Sequence, residues 1–306
     1  MTSYKEVWNA VMNLNKCEFI QWASDKNLIQ NINQFRICTG CGSIMNVHFD
    51  DRLTDGALWR CSNYKCSRTL TIRINSWTYQ SQLTLKTLAL LVACWCDKRK
   101  IGVAAIDCNI STKTVSKYYQ EFRFIAEGLY RNDLSKNPLG NTGGIIQIDE
   151  SHFFGAKYNL GKALVHKQLW FFGAIDDLTN RVSIEKCESR SEDDLVPMIM
   201  SMCNTGSTIW SDSWKSYNNL NLYGFHHSNV NHKNNFRDPI TGVHTNKIEG
   251  NWNALKKFIR ENNVKDRDSV ESYVHEWCFS EISEQHSKNA GKLSLNKHIN
   301  FKYITY

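Results

Sequence analysis

The sequence predicts a mixed α/β domain that follows a cysteine-rich segment and a helical segment. Three features of the 306-residue chain predict it. Two close pairs of cysteines come first, a strongly apolar helical stretch follows them, and short apolar runs come last. These last runs read as three strands, a helix and a fourth strand: 145–148, 169–175, 182–187, 191–203 and 208–210. Such an order of strands and helices is typical of an α/β domain.

Composition limits the classes of protein to which the chain can belong. Hydrophobic residues make up 42% and charged residues 22% of it, which is typical of a globular protein and excludes collagen-like and disordered chains. The apolar run Leu88–Cys96 is about half as long as the ~20 residues of a membrane-spanning helix, so we expect no membrane partner. The first residues, with Lys5 and Glu6, lack the apolar core of a signal peptide, and we expect no secretion.

Positive charge is concentrated in the first part of the chain. The formal net charge is +7; residues 1–140 contain 18 Lys and Arg against 11 Asp and Glu, and residues 141–306 contain 19 of each kind. An N-terminal part that carries the whole excess is typical of a nucleic-acid-binding module joined to a neutral second domain. Chance is the alternative explanation as long as charge is considered alone.

The first motif is a pair of cysteine knuckles. Cys38-x2-Cys41 and Cys61-x4-Cys66 are separated by 19 residues, the length of a hairpin. Four thiolates brought together by such a hairpin form a tetrahedral zinc site, so we predict structural Zn²⁺ in a zinc ribbon. The alternative is four independent buried cysteines. No disulfide framework is expected, because the 11 cysteines are an odd number in a chain without a secretory signal.

A helix-turn-helix pattern follows the ribbon. Gly102–Ile106 is a short helical run, Asn109–Ser111 is a polar break that ends in an N-cap serine, and Thr112–Tyr119 is a second helical run. Lys113 and Lys117 lie on the open face of the second helix, and we expect them to contact DNA phosphates or base edges. An ordinary helical hairpin is the alternative.

The chain is predicted to have five parts. They are a helical segment at 1–35, the zinc ribbon at 36–76, the helix-turn-helix region at 80–131, the α/β domain at 141–285 and a tail at 286–306. The main boundary is placed at 138–144, where proline, glycine and polar residues read as a linker. Within the first part, the spacing of apolar residues predicts helix over 4–35.

Three acidic residues form the candidate catalytic group. Asp149 and Asp212 each end a strand-like run, and Glu249 lies in the first turn of a helix predicted over about 246–262. The order of elements is that of a ribonuclease H-like domain, in which neighbouring strands bring the first two carboxylates to one edge. Converging carboxylates need divalent cations, and oxygen ligands favour Mg²⁺ or Mn²⁺. The alternative for each acid is a solvated strand-end charge or a helix-dipole partner.

These acids lie inside longer motifs, namely Ile148–Ser151, Trp170–Asp176, Ser211–Tyr217, Val230–His232 and Phe236–Trp252. By their order and spacing, with the ribbon and the helix-turn-helix upstream, residues 38–278 resemble the Merlin superfamily of DNA transposases and the related bacterial insertion-sequence transposases with an ISXO-like domain. The resemblance implies a ribonuclease H-like DDE domain with Asp149, Asp212 and Glu249 at the catalytic, Mg²⁺-binding positions. It also implies cut-and-paste transposition. Asp177 departs from the family pattern, because relatives often carry a basic residue there.

Other polar residues are weaker candidates. Lys215 and Lys256 are expected to contact DNA phosphate, with solvated lysines as the alternative. His232 and His244 are candidates for phosphate contact or proton transfer, with ordinary surface histidines as the alternative. Three lysines between the first two strands are candidates for phosphate contact or for solubility alone: Lys157, Lys162 and Lys167. Glu150 is predicted to point away from Asp149, to the opposite face of the strand, so that its loss is milder.

The leading prediction is a Mg²⁺-dependent DNA transposase that acts on double-stranded DNA at terminal inverted repeats and at target sites, as a homo-oligomer. A catalytically silent, transposase-derived DNA-binding or regulatory protein is the second hypothesis, and the intact acids count against it. A stand-alone ribonuclease H-like nuclease is the third, and the N-terminal DNA-binding segments count against it. The expected location is the nucleus in a eukaryote and the cytoplasm otherwise.

Overall fold

The described residues form two compact units. The structure, a computed structural model, describes residues 3–140, 143–153, 169–231 and 237–289. The chain divides between Ile125 and Ala126, so the cysteine-rich segment lies in the first unit and the α/β domain in the second. In the part of the chain that is described, no helix is both long and apolar enough to cross a membrane.

Two short helices begin the first unit, and the prediction of one helix over 4–35 is wrong. Helix α1 spans Tyr4–Asn13 and α2 spans Lys16–Asp25. The chain breaks between them because Asn15 and Glu18 form a capping box, in which each side chain accepts a hydrogen bond from the backbone N–H of the other residue. Residues 26–35 form turns and bends instead of continuing α2.

Four short strands form the cysteine ribbon. They are β1 (Arg36–Ile37), β2 (Ile44–Phe49), β3 (Ala57–Cys61) and β4 (Thr69–Thr71), paired antiparallel in that order. The first cysteine knuckle turns at Gly42, whose φ of +75° favours glycine and whose N–H donates to the carbonyl of Cys38 at 2.9 Å. Met45 and Trp59 are buried and join the ribbon to the core of the first unit.

Three helices make up the helical segment: α3 (Leu85–Cys96), α4 (Ile101–Cys108) and α5 (Thr112–Lys136). The polar break predicted between α4 and α5 is a tight turn. Asn109 takes a left-handed φ of 52°, and the hydroxyl of Ser111 accepts a hydrogen bond from the Thr114 N–H at 3.1 Å. The buried side chains of Val115 and Tyr119 define the inner face of α5.

The second unit is a five-stranded sheet with helices on both faces. Its elements are β5 (Ile145–Phe153), β6 (Leu169–Asp176), β7 (Val182–Cys187), α6 (Glu192–Met202), β8 (Thr208–Asp212), β9 (His226–Val230), α7 (Asn246–Glu261) and α8 (Val270–Asn289). The strand order is β7-β6-β5-β8-β9; β6 is antiparallel to both β5 and β7, whereas β8 runs parallel to both β5 and β9. This is the ribonuclease H-like arrangement predicted from the order of elements.

Side chains of the central strands alternate between two apolar layers. On β6, Phe171 and Ile175 pack with Trp252 and the other apolar residues of α7 and α8. Phe172 and Ala174 point the other way and pack with the apolar face of α6. The sheet therefore separates an α7/α8 face from an α6 face, and neighbouring residues of one strand lie in different surroundings.

The stretch predicted as the interdomain linker, 138–144, is packed into the second unit where it is described. Leu139 is buried, and its N–H donates to the Met202 carbonyl at 2.7 Å. Further upstream, Tyr130 is fully buried in the same unit, with its hydroxyl 2.8 Å from that of Ser183. Because these contacts hold the end of α5 in the α/β domain, the chain divides within α5 and not at the predicted linker.

Candidate active site

Two of the three predicted catalytic acids lie side by side on the central strands. β5 and β8 are parallel neighbours, and Gln147 pairs with Trp210. Asp149 and Asp212 come two residues later on their strands, so the register brings them to the same level of the sheet. The negative charge of Asp212 contributes to a raised pKa of Asp149, which is the mark of two interacting carboxylates.

Asp149 is the strongly perturbed acid of this pair. Burial raises its pKa from 3.8 to about 7, and the charges of Glu150 and Asp212 act in the same direction. The indole N–H of Trp252 donates to Oδ2 of Asp149 at 3.1 Å and opposes part of the shift. A carboxylate that ionises at such a cost beside other acids is stabilised by a nearby cation, and its hard oxygen donors fit Mg²⁺ or Mn²⁺.

A glycine makes room for this tryptophan. Gly173 of β6 pairs with Asp149 in the sheet. A Cβ atom at position 173 would lie 2.7 Å from the ring of Trp252 and 3.1 Å from Ile248, closer than side chains tolerate. The missing side chain therefore lets α7 approach the sheet closely enough for the indole to reach the carboxylate.

The start of α7 is fixed by a buried glutamine of β5. Oε1 of Gln147 accepts hydrogen bonds from the backbone N–H groups of Lys247 at 2.9 Å and Ile248 at 3.4 Å. These groups belong to the first helical turn, where no carbonyl of the helix itself is available to them. Strand β5, which carries Asp149, thus also caps helix α7, which carries Glu249.

Glu249 lies in this first turn of α7, three residues before Trp252. Its Oε1 accepts a hydrogen bond from the hydroxyl of Thr245 at 2.8 Å. Among the described residues, the ligand atoms of the three acids do not all lie within 4.8 Å of one another.

Comparison with known proteins identifies the family of the chain. A family model described as "ISXO2-like transposase domain" matches residues 141–281. An "Uncharacterized transposase-like protein" from Haemophilus influenzae is 30% identical over 95 residues, which cover 30% of this chain and 76% of the relative. The chain belongs to the ISXO2-like transposase family. The resemblance to bacterial insertion-sequence transposases is thereby confirmed, and the wider relation to the Merlin superfamily stays a prediction.

Among solved structures, the catalytic core domains of two retroviral integrases are similar to this chain. The HTLV-2 integrase catalytic core domain in complex with magnesium is 13% identical, with 56% of this chain and 100% of that chain covered and a TM-score of 0.28. The BIV integrase catalytic core domain is also 13% identical, with 52% and 91% covered and a TM-score of 0.33.

Asp177, which is predicted to depart from the family pattern, anchors the start of α7. Asp177 forms an ion pair with the ammonium group of Lys247 at 3.2 Å. Its Oδ1 also accepts a hydrogen bond from Nε2 of Gln147 at 2.9 Å. The carboxylate therefore supports the start of the helix that carries Glu249.

The predicted DNA-contacting lysines of this family member differ in their surroundings. Lys113 and Lys117 are exposed on α5, and Lys117 lies 3.9 Å from Glu121. Lys215 is exposed in a short 3-10 helix, Lys215–Tyr217, just after Asp212. Lys256 is half-buried, and its ammonium group lies 5.5 Å from the ring centroid of Phe153 on β5. Burial lowers its pKa, and the charge of Asp149 acts in the opposite direction. The DNA contacts of all four stay predictions.

The remaining predicted polar candidates divide into two groups. His244 is half-buried, with Nδ1 3.4 Å from Nε2 of Gln147 and its ring 5.2 Å from that of Trp210, so it packs beside the cap of α7. The other candidates lie outside the described residues: Lys157, Lys162, Lys167 and His232.

Sequence reasoning missed an ion pair on the α6 face of β5. Glu150 points away from Asp149, as strand alternation predicts, but its side chain is 0% exposed and lies 2.7 Å from the guanidinium of Arg190. Glu150→Gln is therefore a poor mild control, because it would leave the half-buried Arg190 without its charged partner. No local pattern could have revealed the pair, since the two residues are 40 positions apart.

The four predicted zinc ligands converge at one end of the ribbon. The sulfur atoms of Cys38, Cys41, Cys61 and Cys66 all lie within 4.8 Å of one another. The Cys38–Cys66 and Cys41–Cys61 sulfur distances are 3.7 and 3.4 Å. Ligands at about 2.3 Å from a tetrahedral zinc ion are roughly 3.8 Å apart, so the cluster needs little adjustment to bind one.

Hydrogen bonds favour the thiolate form of two of these cysteines. The backbone N–H of Gly40 donates to Sγ of Cys38 at 3.4 Å and lowers its pKa. Hydrogen bonds from Ser43 lower the pKa of Cys41 to about 6. Because zinc binds the thiolate and not the thiol, this end of the ribbon has the donor chemistry of a zinc site.

Proposed function

We propose that this chain is a DDE transposase that cuts and joins DNA by divalent-cation-dependent phosphodiester chemistry. The observation that supports it most is the placement of Asp149 and Asp212 on adjacent parallel strands, each two residues beyond the paired Gln147 and Trp210, in a chain of the ISXO2-like transposase family. A pair of half-buried carboxylates that repel each other has no stabilising role of its own in a sheet. It has one as a holder of cations.

Asp149, Asp212 and Glu249 are the proposed ligands of Mg²⁺ or Mn²⁺. When bound, the ions activate a water or a 3′-hydroxyl and stabilise the leaving oxygen of the phosphodiester. The chain itself fixes the geometry. Trp252 holds Oδ2 of Asp149, and Gln147 holds the start of the helix that carries Glu249. Lys256, whose ammonium group lies over the ring of Phe153 on the strand that carries Asp149, is suited to neutralise a substrate phosphate.

The first unit is the proposed DNA-recognition module. Structural zinc held by the four cysteines would fix the ribbon, and α5 would present Lys113 and Lys117 to the terminal inverted repeats of the element. An element has two ends, and a target duplex must be held as well, so we propose that the protein acts as a homo-oligomer on double-stranded DNA.

The decisive experiment replaces each acid by its amide. Asp149→Asn, Asp212→Asn and Glu249→Gln remove a negative ligand with little change of shape, so we expect folding and DNA-end binding to persist. Cleavage of labelled DNA that carries the element ends should fall at least about 10³-fold with Mg²⁺. Asp193→Asn, which changes an exposed carboxylate in the first turn of α6, is the matched control and should cut at the parental rate.

Two results would contradict the proposal in different ways. Parental cleavage rates in the three amide variants would show that the assigned acids are not the catalytic ones. A parent that binds element ends but never cuts them, with either Mg²⁺ or Mn²⁺, would favour the catalytically silent DNA-binding protein instead.

A further inference from the structure

The residue that follows Asp149 is a fully buried carboxylate held by one arginine. Oε2 of Glu150 accepts hydrogen bonds from Nη2 of Arg190 at 2.7 Å and from Nε at 3.0 Å. Oε1 of Glu150 is buried without a hydrogen-bond partner among the described residues. Arg190 is therefore the group that makes this buried charge tolerable.

Two tryptophans hold the guanidinium of Arg190 in place. It lies 4.8 Å from the ring centroid of Trp170 and 4.0 Å from that of Trp214. Planar guanidinium groups stack on aromatic rings and bond carboxylates at the same time, which an ammonium group does not do equally well. Trp214 is two residues beyond Asp212, so the arginine reaches the segment that follows the second acid.

The backbone carbonyl of Arg190 also contacts the segment that follows Asp212. Its carbonyl accepts hydrogen bonds from Nε1 of Trp214 at 3.0 Å and from the hydroxyl of Ser216 at 2.7 Å. The backbone N–H of Trp214 in turn donates to Oδ1 of Asp212 at 3.0 Å. A continuous series of contacts thus runs from Glu150 through Arg190 and Trp214 to the carboxylate of Asp212.

We propose that Glu150, Arg190 and Trp214 form a clasp that positions Asp212 beside Asp149. The inference rests on the proposed function, because it takes Asp212 as a ligand of the divalent cation. The clasp ties the segment after β8 to the strand that carries Asp149, through an ion pair whose carboxylate is buried on the α6 face. Arg190 is a positioning residue: it acts on the cation site through Trp214 and touches neither the cation nor DNA.

Two variants of the full chain test the clasp. Arg190→Lys keeps the positive charge but loses the paired hydrogen bonds and the planar stacking. Glu150→Gln with Arg190→Met removes both charges, so that neither is left buried alone. Arg181→Lys is the matched control, because Arg181 bonds Asp133 at 2.7 Å in the same unit without contacting the segment after Asp212. Asp212→Asn gives the affinity of a site that has lost its ligand.

The measurements are Mn²⁺ affinity by calorimetry and amide hydrogen exchange of residues 212–217. Residues that orient a metal ligand typically contribute 10–100-fold to affinity, so we expect both clasp variants to bind Mn²⁺ at least about tenfold more weakly than the parent. We also expect faster exchange in residues 212–217 and unchanged exchange elsewhere in the sheet. Arg181→Lys should keep the parental Mn²⁺ affinity even if its overall stability falls.

The outcomes separate the clasp from the proposed function. Parental Mn²⁺ affinity in both clasp variants, with only a lower stability, would overturn the clasp and leave the transposase proposal intact. Weaker Mn²⁺ binding in the variants of a parent that fails to cut DNA would support the clasp while removing the proposed activity. A parent that does not bind Mn²⁺ at all would overturn both.

Discussion

The cysteine ribbon and the acidic end of the sheet both bring potential metal ligands together, but they differ in how close together the ligand atoms lie. In the ribbon, four sulfur atoms lie within 4.8 Å of one another, as close together as the ligands of one zinc ion. In the sheet, Asp149 and Asp212 are neighbours on strands, while Glu249 comes from a helix and the three are spread more widely. A closed set of soft ligands stabilises a fold, whereas an open set of hard ligands leaves room for substrate oxygens.

The largest effect is expected when one of the four cysteine ligands of the ribbon is removed. Purified protein should contain one equivalent of zinc, and Cys61→Ser should lose it. A structural zinc site contributes roughly 10–16 kcal/mol in small metal-dependent domains, so the ribbon should unfold and binding to element ends should fail. Metal analysis, limited proteolysis and DNA binding measure these changes. Cys17→Ser, on α2 outside the cluster, should keep the zinc; well-folded parent protein without zinc would contradict the prediction.

A smaller effect is expected when a methyl group is added at position 173, where Trp252 packs beside Asp149. Gly173→Ala places a methyl group 2.7 Å from the ring of Trp252, so we expect a loss of about 1–3 kcal/mol in the free energy of unfolding and slower DNA cleavage. Urea denaturation measures the first and the cleavage assay the second.

Gly128→Ala is the matched control for this crowding. The added methyl group on α5 meets no atom within 4 Å, and alanine in a helix should stabilise the protein by about 0.5–1 kcal/mol. If both alanine variants were equally stable, the close packing of Trp252 on β6 would be refuted.

The open site should also make stability depend on pH when divalent cations are absent. Because the pKa of Asp149 is raised from 3.8 to about 7 in the folded protein, the folded state keeps a proton that the unfolded state has lost over this range. Stability should therefore fall as pH rises from about 4 to 7 and stay low above it. Asp149→Asn lacks this term, so its unfolding free energy should fall less between about pH 5 and pH 8.

Urea denaturation in buffers freed of Mg²⁺ by a chelating resin measures this pH dependence. Adding Mg²⁺ at pH 8 should raise the stability of the parent more than that of Asp149→Asn, since binding to the folded state alone stabilises it. Identical pH dependence in the parent and the variant would show that Asp149 does not carry the shift.

The smallest expected effect concerns single DNA contacts on α5. Lys117→Ala should weaken binding to element ends modestly and reduce the slope of log affinity against log salt by about one, if the lysine contacts a phosphate. Lys136→Ala, in the last turn of the same helix, removes an equal charge far from the predicted recognition face and should leave the slope unchanged. A binding curve that Lys117→Ala does not alter would place recognition on other residues.

The parts that were predictable from sequence are those with a local signal. Apolar runs and helical spacing are local patterns of consecutive residues, and they predicted β5 to β8, α6 and α7. β9 was missed, since His226–Val230 contains a single apolar residue, and the break at Asn15 was missed because its apolar spacing continues across the capping box. Local sequence patterns thus predicted the elements with apolar spacing. They failed for a polar strand and for a helix end that is set by side-chain hydrogen bonds.

In the candidate site, residue types were predictable but their supports were not. Asp212 ends the strand β8, and Glu249 lies in the first turn of α7, as the strand and helix patterns predict. The cap that Gln147 gives to α7 joins residues 100 positions apart in the chain, and the partner of Glu150 is 40 positions away. Such contacts arise only when the sheet forms, so no spacing rule reveals them.

The close packing of Trp252 against Gly173 has a consequence for how this family can vary. A side chain at 173 and an indole at 252 compete for one volume beside Asp149. Relatives should therefore show correlated substitution: glycine at the first position wherever the second is tryptophan, and a larger residue at the first only where the second has become small. In such relatives another donor would have to take over the hydrogen bond to the acid, and that donor would identify an independent solution to the same steric problem.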